Sequence, residues 1–171
     1  MRIRIVLICI LFSLYALASG QQSVAYGFMY IGTWPNKIVV IDEGQGKIVD
    51  EIKLETGTPW ELTVTPDKKT LVVLTTQLNV EVIDLATRKV VSHFSLNDGN
   101  SRVFPLGGAL DPKGRYLYTT LRGATKEVDR YKLDKAKFAV IDLQEKKVVK
   151  TFDFPKEYDQ GFGFLAGYKV S

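Results

Sequence analysis

The sequence predicts an all-β fold assembled from a recurring hairpin, and three observations predict it. First, KIVVIDEGQGKIVDEI (37–52), NVEVIDLATRKVVSHF (79–94) and KFAVIDLQEKKVVKTF (137–152) share one pattern. Each is an alternating apolar strand that ends in Ile-Asp, then a short turn, then a second alternating strand that opens on Lys. Second, the pattern returns after 42 residues and again after 58, spacings that belong to a radial repeat. Third, turn clusters of Pro, Gly, Asn and Asp punctuate the chain about every eight to twelve residues, and beyond the first twenty residues no window carries a helical stripe.

The first element stands apart from the fold. Arg2 and Arg4 precede an apolar run from Ile5 to Leu17, and Ala16-Leu17-Ala18 offers small-residue cleavage positions before Gln21. Residues 1–20 are therefore read as a signal peptide, with an uncleaved membrane anchor as the alternative. The single cysteine, Cys9, lies inside this run. Beyond it the chain can form no disulfide, thiolate metal site or CxxCH haem attachment, and an exported protein of that kind suits a bacterial periplasm or secretion.

The strands follow in order. Residues 26–32, 37–42 and 47–54 form a first group, closed at one end by the turn Thr33-Trp34-Pro35-Asn36. Residues 60–65, 70–76, 80–84 and 89–95 form a second, and 103–110, 116–121, 138–142 and 148–154 a third. Pro66-Asp67-Lys68-Lys69 and Asp111-Pro112-Lys113-Gly114 occupy the same place in their groups. Proline presets the turn, aspartate bonds its own backbone, and Gly114 supplies positive φ. Asp42, Asp84 and Asp142 end equivalent strands, where capping of the following turn is a better use for them than a shared metal. The grouping gives a domain at 26–171 with units at about 26–54, 60–95 and 103–154 and the start of another at GFGFL (161–165). The first unit lacks its own first strand.

YIGTWPNKIVVID and TPWELTVTPDKKTLVVL resemble the opening and continuation of a YVTN-type repeat, the unit of a family of periplasmic and surface β-propellers. Within that family the motif order, including a widened gap before KFAVID, is similar to that of the propeller β subunits of quinohemoprotein amine dehydrogenases. The resemblance implies about seven four-stranded antiparallel blades. This chain supplies about three and the start of a fourth, so it is read as a partial β-propeller, a fragment of a seven-bladed one from a truncated or frame-shifted gene. The resemblance also implies a non-catalytic role beside a small quinone-cofactor subunit and a cytochrome subunit, and it brings no ligand or catalytic motif to carry over.

The residues themselves argue in the same direction. Without Arg2 and Arg4 the 23 basic residues fall to 21 against 19 acidic ones, spread through the turns, which gives nucleic acid no stripe to bind. No cofactor and, after signal cleavage, no membrane contact is expected. His93 is the only histidine and sits in an outer strand; no Gly-x-Ser-x-Gly elbow or phosphate loop occurs. Gly107-Gly108 is read as close packing. The candidate partner contacts are Trp60 and Glu61, at the start of an inner strand, and Arg122, Lys126, Arg130 and Lys132, in the insertion RGATKEVDRYKLDK (122–135) that replaces a short connection. The function expected is that of a non-catalytic propeller subunit or binding scaffold of a periplasmic redox system. The alternatives are a free-standing envelope or surface interaction propeller, and part of an enzyme whose site lies on further blades.

Overall fold

The computed structural model describes residues 26–155, so the leader (1–20) and the GFGFL segment (161–165) lie outside the described residues. Within them the chain is all-β and forms three separate antiparallel sheets, none closed on itself. Sheet 1 holds β1 (Phe28–Thr33), β2 (Lys37–Asp42) and β3 (Lys47–Lys53) in that order. Sheet 2 holds β4 (Pro59–Val64), β5 (Thr70–Thr75), β6 (Asn79–Asp84) and β7 (Lys89–Ser95). Sheet 3 holds β8 (Ser101–Leu110), β9 (Tyr116–Lys126), β10 (Tyr131–Leu133), β11 (Lys137–Asp142) and β12 (Lys147–Asp153), with β9 paired to β8 on one side and to β10 and β11 on the other. The three Ile-Asp strands, β2, β6 and β11, therefore lie in three different sheets.

The repeat extends to backbone detail. Asp42, Asp84 and Asp142 each accept a turn N–H: from Gln45 at 2.9 Å, from Thr87 at 2.7 Å, and from Gln144 and Glu145 at 2.9 and 3.0 Å. Each turn ends on a left-handed residue, Gly46, Arg88 or Lys146, with φ of 62°, 55° and 56°. Three residues later in every outer strand the ladder slips, leaving Val49, Val91 and Val149 as the extra residue of a β-bulge. The two proline turns match as well. Thr65 and Asp111 each donate N–H to the residue five on, Thr70 or Tyr116, at 2.9 Å. Lys68 and Gly114 take positive φ at the same step, so a lysine adopts what a glycine does more easily.

The core sits between the sheets. Ile38, Val40, Ile52 and Leu54 of sheet 1 pack on Leu71, Val73 and Ile83 of sheet 2. On its other face sheet 2 packs Val72, Leu74, Val80 and Phe94 against Leu110, Leu117 and Ile141 of sheet 3. Because sheet 2 is covered on both faces, β5 reads as the continuous apolar run LVVL, where a half-exposed strand would alternate. Along the edges β1 lies beside β4 and β4 beside β8, while β3 lies beside β7. Arg88 crosses between sheets to Asp50 at 3.1 Å and lies 4.9 Å over the Phe28 ring.

One expectation needs correction. The 122–135 insertion is only in part a connecting loop, because Arg122–Lys126 continue β9 and Tyr131–Leu133 fold back on it as β10. Sheet 3 thereby gains a fifth strand, and β9 runs eleven residues where β1 and β5 run six. Among the described residues sheet 1 has three strands and no equivalent of β4.

Candidate functional site

The sheets have two distinguishable ends. At one end lie the Asp42, Asp84 and Asp142 turns and the two proline turns, all tightly hydrogen bonded. Asp111 is the clearest case: burial raises its pKa, but N–H groups of Tyr116, Lys113 and Arg115 together outweigh it, so the carboxyl titrates below its ordinary value. Arg115 then donates Nε and Nη2 to Asp142 Oδ2 at 3.0 and 2.7 Å, and this bond holds the Asp142 carboxyl below the usual range. The donors and acceptors at this end are engaged in holding turns.

The other end carries most of the candidates. Antiparallel pairing puts the β1–β2 turn with Trp34, the start of β4 with Trp60, and the β9–β10 hairpin on the same side of the three sheets. Trp34 is 81% exposed and Trp60 47%. In the hairpin, Glu127 N donates to Arg130 O at 2.8 Å and Arg130 Nε meets Glu127 Oε2 at 2.6 Å, closing the tip. Val128, Tyr131 and Leu133 are exposed there, alternating with Arg130 and Lys132. Lys126 faces Tyr131 across the ladder. Apolar and basic side chains thus share one protruding element, a composition typical of contact surfaces.

Of the sequence candidates, Trp60, Lys126, Arg130 and Lys132 belong to this end. Arg122 lies at the root of the hairpin, opposite Phe104 in the ladder. Glu61 is half-buried and already engaged by backbone groups. Its carboxylate takes the backbone N–H groups of Gly108 and Gly107 in β8; burial is the larger influence and raises its pKa. Those glycines form the bulge in β8; a Cβ on Gly108 would come within 2.7 Å of Leu117 Cδ1, so Gly108 is closely packed, while Gly107 takes a positive φ of 67°. His93, half exposed, hydrogen bonds through Nδ1 to Glu55 Oε2 at 2.8 Å. Among the described residues no cluster of three His, Cys, Asp or Glu side chains is disposed to hold a metal.

Two features were missed from the sequence. Glu81 is fully buried in β6 and accepts N–H from Glu55 at 3.1 Å, N–H from Thr56 at 2.6 Å and the Thr56 hydroxyl. It anchors the crossing from sheet 1 to sheet 2. A signal for it existed, since the equivalent positions in the other repeats are Val39 and Ala139. The second is a cleft of about 840 Å³ at the root of the hairpin, where Leu121, Leu133 and Phe154 meet Lys132, Lys137 and Asp153.

No protein-family model matches the chain, and no curated protein matches it. Among solved structures, hydrazine synthase of Kuenenia stuttgartiensis is similar at 16% identity and a TM-score of 0.42, over 68% of this chain and 42% of that one. The chain thus spans less than half the length of that relative.

Proposed function

We propose that the three sheets are consecutive blades of a partial β-propeller, and that the chain serves as a non-catalytic subunit or binding scaffold of a periplasmic redox assembly of the amine-dehydrogenase type. The arc is supported by the edge contacts: β1 neighbours β4 and β4 neighbours β8 on the inner side, and β3 neighbours β7 on the outer. In this reading β4 and β8 are innermost and β3, β7 and β12 outermost. The observation that carries the functional reading is the end bearing Trp34, Trp60 and the β9–β10 hairpin. A side chain as large as Trp34 left 81% in solvent contributes nothing to the core and is of the type that dominates partner binding. By the resemblance described above, the partners are a small quinone-cofactor subunit and a cytochrome subunit, which would carry the chemistry.

The test is recovery of the exported chain from its host under gentle conditions, with identification of what accompanies it. A haem- or quinone-bearing subunit should co-purify. Trp34→Ala with Trp60→Ala should weaken that association at least tenfold at constant stability, in line with about 2 kcal/mol for a buried aromatic anchor. Replacing Arg122, Lys126, Arg130 and Lys132 by Ala should slow association and reduce its salt dependence. A chain that purifies alone, or association unchanged in both variants, overturns the proposal.

A further inference from the structure

Residues 97–100 carry the chain from sheet 2 to sheet 3, and the aspartate among them differs from the other turn aspartates. Asp98 N–H donates to Ser101 O at 3.2 Å and Ser101 N–H to Asp98 O at 2.7 Å, closing a two-residue turn over Gly99 and Asn100. Gly99, with φ of 46°, takes the first central position, where glycine is favoured. Asp98, Gly99 and Asn100 are all exposed. The carboxylates of Asp42, Asp67, Asp84, Asp111 and Asp142 each accept hydrogen bonds that hold their turns. That of Asp98 makes no hydrogen bond or ion pair among the described residues, and the Gly99 N–H donates to none of them. Asp98-Gly99 is also the one Asp-Gly pair in the sequence, which has no Asn-Gly.

An aspartate carboxyl can close a five-membered ring on the backbone nitrogen that follows it. A side chain on the next residue crowds that nitrogen, and a hydrogen-bonded carboxylate or amide is held out of reach. None of these obstacles stands at Asp98. Gly99 has no side chain, and even a Cβ built there would meet nothing within 4 Å, so the turn has open space around it. We infer that Asp98-Gly99 is a site of spontaneous covalent modification, in which the chain passes through a succinimide to isoaspartate. The Gly99 nitrogen attacks Cγ of the protonated carboxyl; the N–Cγ bond forms, a Cγ–O bond breaks, and the hydroxyl leaves with the amide proton as water. Water then adds to one of the two ring carbonyls. Opening at the former side-chain carbonyl restores aspartate, and opening at the former main-chain carbonyl leaves the chain running through Cβ and Cγ.

The place of this turn gives the modification a structural effect. Asn100 O accepts the Lys126 N–H at 3.0 Å, Asn97 Oδ1 accepts the Val103 N–H at 2.8 Å, and the Ser101 and Thr125 hydroxyls lie 3.1 Å apart. Arg102 Nη1 donates to Gly99 O at 3.0 Å. The turn is thus bonded to the end of β9, from which the β9–β10 hairpin springs. Isoaspartate adds one carbon to the backbone between residues 98 and 99, and a two-residue turn so lengthened loses the paired Asp98–Ser101 bonds and the register of Asn100 with Lys126. The first residues of β8 then separate from β9, and the hairpin loses its footing on that side. The effect on docking, though not the site itself, rests on the reading of that hairpin as a contact element.

Ageing the purified protein at neutral pH and physiological temperature, followed by peptide mapping with mass spectrometry, tests the site. The peptide containing Asp98 should split into a second chromatographic peak of unchanged mass, with a minor form lighter by one water when quenched in mild acid. Asp98→Glu, whose ring would need a further member, should lose both forms. Asp98→Asn should convert faster than the parent, because ammonia replaces water as the leaving group. A synthetic peptide spanning residues 94–105 should convert at a rate comparable to that of the folded protein. Conversion in the peptide but not in the folded protein would overturn the assignment, as would isomer forming as fast at another aspartate of the folded protein. Hydrogen exchange on aged protein should show the Lys126 and Val103 amides losing protection in proportion to the isomer, and keeping it in Asp98→Glu aged alike. Protection retained in the isomerised fraction would overturn the loosening of the hairpin while leaving its role in docking to the co-purification test.

Discussion

Replacing Glu81 by Ala should destabilise the fold through the loop it anchors. The side chain is 0% exposed and holds the N–H groups of Glu55 and Thr56 together with the Thr56 hydroxyl, while Thr75 Oγ1 donates to Thr56 O at 3.0 Å. Removal leaves three donors without an acceptor, each worth about 1–3 kcal/mol when charge-assisted and shielded. The loss is partly offset because a buried carboxylate is itself costly to desolvate, and because water can reach a half-buried loop. The net expectation is a loss of about 2–4 kcal/mol. With a urea slope of about 2 kcal/mol/M, the unfolding midpoint should fall by about 1–2 M. Glu81→Val separates bonding from packing, since Val39 fills the equivalent position in sheet 1. It should restore little of the loss. Hydrogen exchange should show the Glu55 and Thr56 amides protected in the parent and released in both variants. A midpoint within about 0.3 M of the parent, or unchanged protection, would refute the account.

The left-handed turn residues give a paired test: Lys146→Gly should stabilise by about 0.5–1 kcal/mol and Gly46→Ala destabilise by about 1 kcal/mol in urea melts, since a side chain at positive φ costs about 1–2 kcal/mol and glycine returns part of that as unfolded-state freedom. For Asp67, Asp84 and Asp142 the folded pKa lies below the ordinary value, Asp67 through the Thr65 hydroxyl, Asp84 through Thr87 N–H and Asp142 through Arg115. Their contribution is complete above the unfolded pKa and vanishes as pH falls through the folded one, so the urea midpoint should drop below about pH 4, and Asp84→Asn with Asp142→Asn should flatten that drop. Glu61 works in the opposite sense: its pKa is raised by burial, so the stability it contributes is lost as pH rises past its folded pKa, and Glu61→Gln should remove that dependence. Finally, the purified chain should show no Soret band and only background amine oxidation with an artificial acceptor; a haem spectrum retained after dialysis would end the non-catalytic reading.

Much of this architecture was legible because the local signals agree. The Ile-Asp strands, the proline turns and the capping aspartates each announce themselves within ten residues, and the sheets form where alternation and turn chemistry place them. The β9–β10 hairpin did not show itself for a physical reason. All three residues of β10 are exposed, so no buried face imposes a period of two on them, and the charged sequence reads as loop. Glu61 and Glu81 stayed hidden for another reason. Their partners, Gly107 and Gly108 in one case and Glu55 and Thr56 in the other, are 25 or more residues away along the chain, and only packing of adjacent sheets brings them together. Which end of the stack gathers the two tryptophans depends on strand pairing, which no single segment reveals.

The bulges at Val49, Val91 and Val149 have a consequence for how the molecule meets its own kind at high concentration. A flat strand edge is a template for adding further strands, and a bulge bends the row of donors and acceptors out of line. The three outer strands β3, β7 and β12 are all bent in that way. The opposite edges of sheets 2 and 3 are blunted too, with a proline in each, Pro59 in β4 and Pro105 in β8, withholding a donor. Among the described strands, β1 has neither safeguard: Phe28-Met29-Tyr30-Ile31 runs straight, apolar and open along one side. By its equivalence to β5, that side is where a strand like β4 belongs. Aggregation, and equally the capture of an extended peptide, should therefore begin at β1, and a lysine or proline placed there would guard solubility more effectively than the same change at any other edge.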